Sequence, residues 1–231
     1  MRPVPPGPEG RRGGRSFSPA GWGGAVVRLA DIGVQPPATA VSARWVVPTI
    51  DPSNLTDPNA DLLVGFWVGI DSGPILQAGT AAQVSGRKVT YFAWTEWFPS
   101  GPVEVKEFAV APGDVVRVTV WNAATQQGTL HGGASLENER TGLATNVALN
   151  PPGEVATEPG TEVEWIVEAP ACADLPDFHS VAFLDCSAGT RRESFGLRGA
   201  ALTEIEGAAG ALTRTEIVGS DTLVVIWGAD R

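Results

Sequence analysis

Hydrophobic and polar residues alternate along most of the chain from about residue 21 onward. Three segments show the pattern most clearly, 40–47, 114–120 and 162–168, in each of which every second residue is apolar. An alternation with period two places the apolar side chains on one face and is typical of half-buried β-strands. The helical period of 3.6 residues is nearly absent, so the pattern predicts an all-β protein.

Segments of this kind number about fourteen, and turns rich in Gly and Pro separate them. The chain has 28 Gly and 19 Pro among its 231 residues, and both residue types interrupt regular structure. Many short strands at regular spacing favour an antiparallel β-sandwich. The remaining candidate strands are 24–30, 63–70, 74–84, 88–98, 103–109, 129–137, 143–148, 180–186, 201–206, 211–217 and 222–228.

Some of these strands carry a second face that mixes aromatic and acidic residues. Its members are Trp67, Gly69 and Asp71; Phe92, Trp94 and Glu96; and Glu162, Glu164, Ile166 and Glu168. On an open sheet, such a face suits the binding of an extended peptide or a sugar. The structural alternative is that Trp67 and Trp94 pack beneath loops.

The first twenty residues differ from the rest, being basic and rich in Pro, Gly and Ser. They lack the apolar segment of a secretory signal, although we expect an extracellular protein. We expect residues 1–20 to form a disordered arm and residues 21–231 to form a single β-sandwich domain.

The net charge of −10 and the isoelectric point of about 4.6 restrict the partners. An acidic protein is repelled by nucleic acid and by anionic membranes, and no apolar run approaches the length of a spanning helix. We therefore expect no nucleic-acid or membrane partner, and a monomer. The acidic composition fits a protein that works in acid, and it equally fits an ordinary soluble protein.

Several catalytic chemistries find no support in the sequence. The only histidines are His131 and His179, and the motifs GxSxG, HExxH and Walker A are absent. Cys172 and Cys186 are too few for a zinc cluster, and whether they pair stays open. The segment 71–73, Asp-Ser-Gly, has no second copy, whereas a two-aspartate mechanism needs a facing pair.

Glutamine and glutamate together can hydrolyse a peptide bond without any of these groups. A carboxylate can deprotonate a water and return the proton to the leaving amine, and it stays partly ionised in acid. An amide can orient the same water and stabilise an oxyanion. Spacing alone does not show whether a Gln and a Glu about ninety residues apart meet.

Seven segments, in chain order, carry a further signal. They are 21–25 (GWGGA), 66–71 (FWVGID), 75–79 (ILQAG), 93–99 (AWTEWFP), 112–114 (PGD), 136–142 (LENERTG) and 164–168 (EWIVE). These segments resemble the conserved blocks of the glutamic peptidases, or eqolisins. The resemblance implies a concanavalin-like or jelly-roll sandwich of two roughly seven-stranded antiparallel sheets.

It also implies an acid endopeptidase that acts on protein or peptide substrates and uses no metal or cofactor. By this likeness Gln77 positions the water and stabilises the oxyanion, and Glu168 is the general base and then the general acid. The residues that would line or brace the cleft are Trp22, Trp67, Asp71, Trp94 and Glu96. The alternative is a non-catalytic sandwich that binds glycan or extended peptide on the same face.

The chain departs from the family pattern at a few positions. Gly21 stands where the family has Asn, and Thr95 and Phe98 stand where it has Tyr. The disulfide pattern of the fungal members is not reproduced. The sequence therefore looks like a prokaryotic relative, and its peptide specificity stays open.

Overall fold

A computed structural model describes residues 21–228 apart from 56, 58, 60, 72, 125–129, 153–159, 170–174 and 209. The described residues form seventeen β-strands and two short 3-10 helices, Leu29–Ile32 and Pro52–Asn54, which confirms the all-β prediction. The strands are β1 (Trp22–Arg28), β2 (Ala40–Val46), β3 (Asp61–Asp71), β4 (Leu76–Ser85), β5 (Lys88–Trp97), β6 (Val103–Glu104), β7 (Val115–Ala124), β8 (Leu130–Asn138), β9 (Leu143–Leu149), β10 (Glu162–Glu168), β11 (Ser180–Gly189), β12 (Ser194–Phe195), β13 (Ala201–Thr203), β14 (Glu206–Gly207), β15 (Gly210–Ala211), β16 (Thr213–Val218) and β17 (Thr222–Trp227).

Two large antiparallel sheets pack face to face. The seven-stranded sheet has the order β13-β1-β10-β3-β4-β5-β6. The eight-stranded sheet has the order β16-β17-β11-β2-β7-β8-β9, and β12 pairs with β11 at its side. A small hairpin joins β14 and β15. This arrangement confirms the predicted sandwich of two roughly seven-stranded sheets.

The main core lies between the sheets and contains the apolar faces that the alternation predicted. On β2, β7 and β10 every second residue belongs to this core. These residues are Val41, Ala43 and Trp45; Val116, Val118 and Val120; and Val163, Trp165 and Val167. Truncating a buried aromatic residue of this kind to Ala costs about 3–5 kcal/mol of stability, so these positions anchor the sandwich.

Two tryptophans tie the sheets together with hydrogen bonds through the core. Trp45 on β2 donates from Nε1 to Thr80 Oγ1 on β4 over 3.1 Å. Trp165 on β10 donates from Nε1 to the carbonyl oxygen of Ser42 on β2 over 3.0 Å. Because a buried N–H without a partner is costly, these bonds fix both rings and the lateral position of one sheet against the other.

Gly132 on β8 is a second point of close approach between the sheets. A Cβ at this position would lie 2.6 Å from Leu76 Cδ2 and 3.0 Å from the Trp97 ring. Both contacts belong to the opposite sheet, at the start of β4 and the end of β5. A larger residue here would require Leu76 and Trp97 to shift, so glycine suits the close approach of the two sheets.

Some predicted strands are shorter in the structure. The segment 103–109 is extended only at Val103–Glu104, because the Phe108 N–H donates to the Val105 carbonyl and closes a turn. Phe108 is nevertheless buried, which explains why the apolar pattern continued past the end of the strand.

The remaining predictions on organisation are tested only in part. The arm at residues 1–20 and Cys172 lie outside the described residues. Cys186 is a buried free thiol whose Sγ donates to the Phe183 carbonyl oxygen, and burial raises its pKa to about 12. Among the described residues, no helix has the length and apolar character to cross a membrane.

Candidate active site

One row of cross-strand neighbours runs over four strands of the seven-stranded sheet. Glu164 on β10 pairs with Gly69 on β3, Gly69 pairs with Gln77 on β4, and Gln77 pairs with Glu96 on β5. Paired residues of an antiparallel sheet point to the same face. The row therefore collects three polar side chains on the face turned away from the main core.

Gln77 is held by its neighbour in this row. Its side chain is only 6% exposed, and Nε2 donates to Glu96 Oε2 over 2.8 Å. The carbonyl atom Oε1 is buried and has no hydrogen-bond partner among the described residues. The bond to Glu96 thus leaves one N–H of the amide and its carbonyl oxygen for other contacts.

Glu96 is a carboxyl group that stays neutral in acid. Burial and the negative charge of Glu168 raise its pKa to about 7, against the lowering effect of the hydrogen bond from Gln77. Because the charge of Glu168 contributes to this raised pKa, the two carboxyl groups are close enough to interact electrostatically. Below about pH 7, Glu96 therefore accepts from Gln77 as an un-ionised acid.

Glu168 ends β10 and lies against two indole rings. Its Oε2 accepts a hydrogen bond of 3.0 Å from Trp67 Nε1. Its cross-strand neighbour on β1 is Trp22, whose indole N–H faces the carboxylate and lowers its pKa without reaching full hydrogen-bond geometry. Burial outweighs both indoles and raises the pKa of Glu168 above its ordinary value.

Gln77 and Glu168 lie in the same sheet and point to the same face. The strand β3 separates them, and their partners on it are Gly69 and Gly65 respectively. Trp67 lies between these two glycines and also points to this face. The two residues are therefore on one face of the sheet, diagonal to each other across β3, and neither is in the main core.

The tryptophans fill more of this face than the sequence suggested. Trp67 is fully buried and Trp94 is 7% exposed. Trp22 packs edge-to-face on Trp67, with ring centroids 5.0 Å apart and an interplanar angle of 81°. A second apolar cluster forms from Trp22, Val26, Trp67, Ala81, Trp94 and Ile166. The face is thus not an open aromatic surface, because the rings pack on one another and over the glycines of β3 and β4.

Glycines leave the space in which these rings pack. A Cβ at Gly79 would lie 2.7 Å from the Cα and Cβ of Trp67, and a Cβ at Gly69 would lie 2.9 Å from the Trp67 ring. The indole nitrogens of Trp22 and Trp94 are both buried. The Trp22 N–H faces Glu168, whereas the Trp94 N–H has no hydrogen-bond partner among the described residues.

Glu164 is the one polar member of the row that the sequence interpretation did not place in the site. It is 1% exposed, and burial together with the charges of Asp71, Glu162 and Glu168 raises its pKa well above the ordinary value. One signal could have identified it. Gly69 interrupts an apolar strand, and glycine inside a strand marks a close approach by another group.

Asp71 ends β3 beside Glu162 and Glu164. Oxygens of the three carboxyl groups lie within 4.8 Å of one another, so they are the described residues that could hold a cation. One oxygen of Glu162 accepts from Arg28 Nε at 2.8 Å, and Asp71 Oδ1 accepts from the Gly73 N–H. These bonds occupy part of the donor set, and Ca²⁺ takes six to eight oxygens.

Comparison with known proteins gives one consistent result. The model of the Peptidase A4 family matches residues 20–227. Aspergillopepsin-2 of Aspergillus niger is 31% identical over 168 residues, which are 68% of this chain and 57% of that protein. Scytalidopepsin B of Scytalidium lignicola is 29% identical over 202 residues, 80% of this chain and 69% of that protein. The chain therefore covers less than two thirds of aspergillopepsin-2.

The fold is shared with solved structures. The crystal structure of scytalido-glutamic peptidase with a transition state analog inhibitor superposes with a TM-score of 0.70, at 24% identity, over 90% of this chain and 98% of that chain. The crystal structure of aspergilloglutamic peptidase from Aspergillus niger gives a TM-score of 0.56, at 28% identity, over 71% and 98%. Both likenesses place the described strands in the same kind of β-sandwich.

Proposed function

Because this chain belongs to the Peptidase A4 family, we propose that it is an acid-acting endopeptidase that hydrolyses peptide bonds of protein substrates. The observation that carries the proposal is that Gln77 and Glu168 share one face of one sheet, where Trp67 donates a hydrogen bond to Glu168. The family match over residues 20–227 supports the same reaction. So do the relatives, one of which is known in complex with the tripeptide Ala-Ile-His.

Glu168 is the general base and then the general acid in this proposal. Its raised pKa makes the carboxylate a stronger base than an exposed Glu, while the Trp67 N–H keeps the ionised form accessible. The carboxylate takes a proton from water as the water oxygen attacks the scissile carbonyl carbon. It then returns that proton to the leaving amine nitrogen as the C–N bond breaks.

Gln77 supplies the complementary hydrogen bonds. One N–H of its amide is committed to Glu96, and the second is free to donate to the carbonyl oxygen of the substrate as negative charge develops there. Removing one donor of this kind from an oxyanion site typically costs about 10²–10³-fold in kcat. Trp22, Trp67, Asp71 and Trp94 would line or brace the cleft around the reacting bond.

Glu96 provides the reason for action in acid. Below about pH 7 its carboxyl is neutral, so the side chain adds no negative charge beside Glu168 or near the developing oxyanion. Above that pH a second carboxylate would oppose the charge that forms in the transition state. A monomeric state, an extracellular location and a prokaryotic origin stay predictions.

The glycan-binding alternative is not favoured. Trp67 and Trp94 are buried, whereas a sugar-binding face needs accessible rings. The residues that surround these rings are carboxyl and amide groups held in defined hydrogen bonds, which a binding protein would not require.

The test is proteolysis of an acid-unfolded protein and of a quenched fluorescent peptide between pH 2 and 8. We expect cleavage by the wild type and a loss of at least about 100-fold in kcat for Q77A and for E168Q. E137Q, which removes an exposed carboxylate from the other sheet, is the matched control. Equal activity of the wild type and both site variants would contradict the mechanism.

A further inference from the structure

Gly69 lies between two polar residues of the row. Glu164 is its partner on β10 and Gln77 is its partner on β4. Gly69 does not have a positive φ, so the backbone itself does not require glycine at this position. What requires it is space, because a Cβ there would lie 2.9 Å from Trp67 Cζ3, 3.0 Å from Glu164 Oε2 and 3.3 Å from Ile75 Cγ2. The Glu164 carboxyl therefore reaches over the backbone of β3 at Gly69, beside the edge of the Trp67 ring.

The atoms on the two sides of Gly69 have complementary needs. Glu164 Oε2 and Gln77 Oε1 are both buried, and neither has a hydrogen-bond partner among the described residues. A buried polar atom without a partner costs about 1–3 kcal/mol. Two oxygen acceptors cannot satisfy each other, but an un-ionised carboxylic acid is a donor and an amide oxygen is an acceptor.

The surroundings of Glu164 favour its un-ionised form. On its own strand Glu162 is two residues away and Glu168 is four residues away, and on β3 Asp71 faces it. From β1 its direct neighbour is the apolar Val26. The one cation on the adjacent strand, Arg28, is paired with Glu162. Glu164 is thus buried beside carboxylates with no cation of its own, and its pKa is raised well above the usual range.

We propose that Glu164 is a positioning residue that donates a hydrogen bond from its carboxylic O–H across Gly69 to Gln77 Oε1, directly or through one water. With this bond the amide is held at both ends, its nitrogen by Glu96 and its oxygen by Glu164. The second N–H of the Gln77 amide can then point only toward the cleft. The inference rests on the proposed peptidase function, because it assigns Glu164 a role in preparing Gln77 for that reaction.

Kinetics separate this role from a purely structural one. E164L keeps the approximate size of the side chain but removes the donor, and we expect kcat to fall about 10- to 100-fold while KM changes less than about threefold. E164Q restores a donor in the form of an amide N–H, and we expect it to keep kcat within about threefold of the wild type. E137Q is the matched control, because it removes an exposed carboxylate from the other sheet, and its kcat in acid should equal that of the wild type.

A spectroscopic readout is independent of activity. Gln77 is one of five glutamines in the chain, so its side-chain NH₂ signals can be assigned in protein labelled with ¹⁵N-glutamine by comparison with Q77A. In the wild type and E164Q we expect two separate NH₂ proton signals that exchange slowly with water. In E164L these signals should move toward free-amide values and exchange faster. Thermal unfolding of each variant shows whether it is folded.

The outcomes are distinct. If the folded E164L variant has the wild-type kcat and unchanged Gln77 signals, the positioning role is wrong. Equal loss of kcat in E164L and E164Q, with both folded, also overturns it, because a donor would then bring no rescue. If the wild type cleaves no peptide but the Gln77 signals depend on Glu164 as described, the proposed function fails and the contact between the two side chains stands.

Discussion

The Gln77 amide donates from Nε2 to Glu96 Oε2 on the neighbouring strand over 2.8 Å, and both side chains are more than nine-tenths buried. This bond decides which end of the amide can serve as a donor toward the cleft. It also couples the site to the protonation of Glu96, whose carboxyl carries a pKa of about 7. We therefore expect the pH range of the site to be set in part by a residue that does not itself touch the reacting bond.

The first prediction concerns Glu96 and the upper pH limb. In the wild type, Glu96 ionises as the pH passes about 7 and places a second negative charge beside Glu168. Gln at this position still accepts from Gln77 but never ionises. We expect the wild-type profile of kcat/KM to fall near pH 7 and the profile of E96Q to continue to higher pH, which rate measurements between pH 5 and 9 would show.

Stability gives a second readout of the same substitution. Because the folded pKa of Glu96 lies above its unfolded value of about 4.5, its contribution is present below that value and is lost as the pH rises through about 7. We expect E96Q to gain on the order of 2–3 kcal/mol over the wild type between pH 4 and pH 8 in urea denaturation. Coincident profiles and equal stability at both pH values would show that Glu96 does not titrate as proposed.

The second prediction concerns Trp67 and the lower pH limb. The Trp67 N–H stabilises the ionised form of Glu168, so W67F should raise the pKa of Glu168 further. Since the base must be ionised, we expect the acid limb of kcat/KM to move to higher pH, with a loss of about tenfold in rate at low pH from the missing hydrogen bond to a charged group. W94F removes another buried indole of the same face. The acid limb of W94F should stay where it is in the wild type, even if its kcat changes. An equal shift of the acid limb in both variants would argue against a specific hydrogen bond from Trp67 to Glu168.

The third prediction compares two glycines of β3 that point to the same face. A Cβ at Gly69 would lie 2.9 Å from the Trp67 ring and 3.0 Å from Glu164 Oε2, whereas a Cβ at Gly65 would lie 3.5 Å from Trp67 and 3.9 Å from Trp94. We expect G69A to lose at least about tenfold in kcat and about 1–3 kcal/mol of stability, because neighbours in a tight site must move. G65A should be close to the wild type in both measurements, and equal effects of the two substitutions would contradict this account of the row.

Much of the sandwich could be predicted from local pattern. Alternation placed Val163, Trp165 and Val167 in the core and Glu168 on the opposite face, and the structure has them so. Burial of every second residue depends only on the pleat of a strand, which is a local property. The end of β6 could not be predicted in this way, because Phe108 is buried from a turn.

The site was less accessible to prediction. The likeness to the glutamic peptidases pointed to Gln77 and Glu168, but the importance of Glu164 depends on register. Only the pairing of β10 with β3, and of β3 with β4, brings Glu164 and Gln77 to the two sides of Gly69. Register between strands that are about ninety residues apart is a long-range property that no local pattern contains. The same limit applies to the tryptophans. The alternation showed on which face of its strand each ring lies, but it did not show that the rings pack on one another.

The fourth prediction concerns acid stability away from the site. Asp114 is 1% exposed; its carboxylate accepts from Asn138 Nδ2 at 2.7 Å and from the Ala111 N–H at 3.0 Å, and it pairs with Arg140. Burial raises its pKa, but the bonds from Arg140, Asn138 and Ala111 outweigh burial and lower it overall.

Because the folded pKa is lowered, the stabilisation is present above the unfolded value of about 3.9 and is lost as the pH falls through the folded pKa. We expect D114N to lose about 2–3 kcal/mol at pH 6 and to differ less from the wild type at pH 2 in urea denaturation. D221N, which replaces an exposed aspartate of a turn, is the control. A difference that does not depend on pH would show that the Asp114 charge is not the cause.

Gly132 on the eight-stranded sheet packs against residues that are next to the candidate site on the other sheet. The two side chains that meet it, Leu76 and Trp97, are the chain neighbours of Gln77 and Glu96. A side chain added at Gly132 would displace the side chains of Leu76 and Trp97, which are bonded in sequence to Gln77 and Glu96. The catalytic geometry can therefore drift or be improved, in evolution or in the laboratory, through a position that substrate never reaches, and a mutant library restricted to the cleft would miss it.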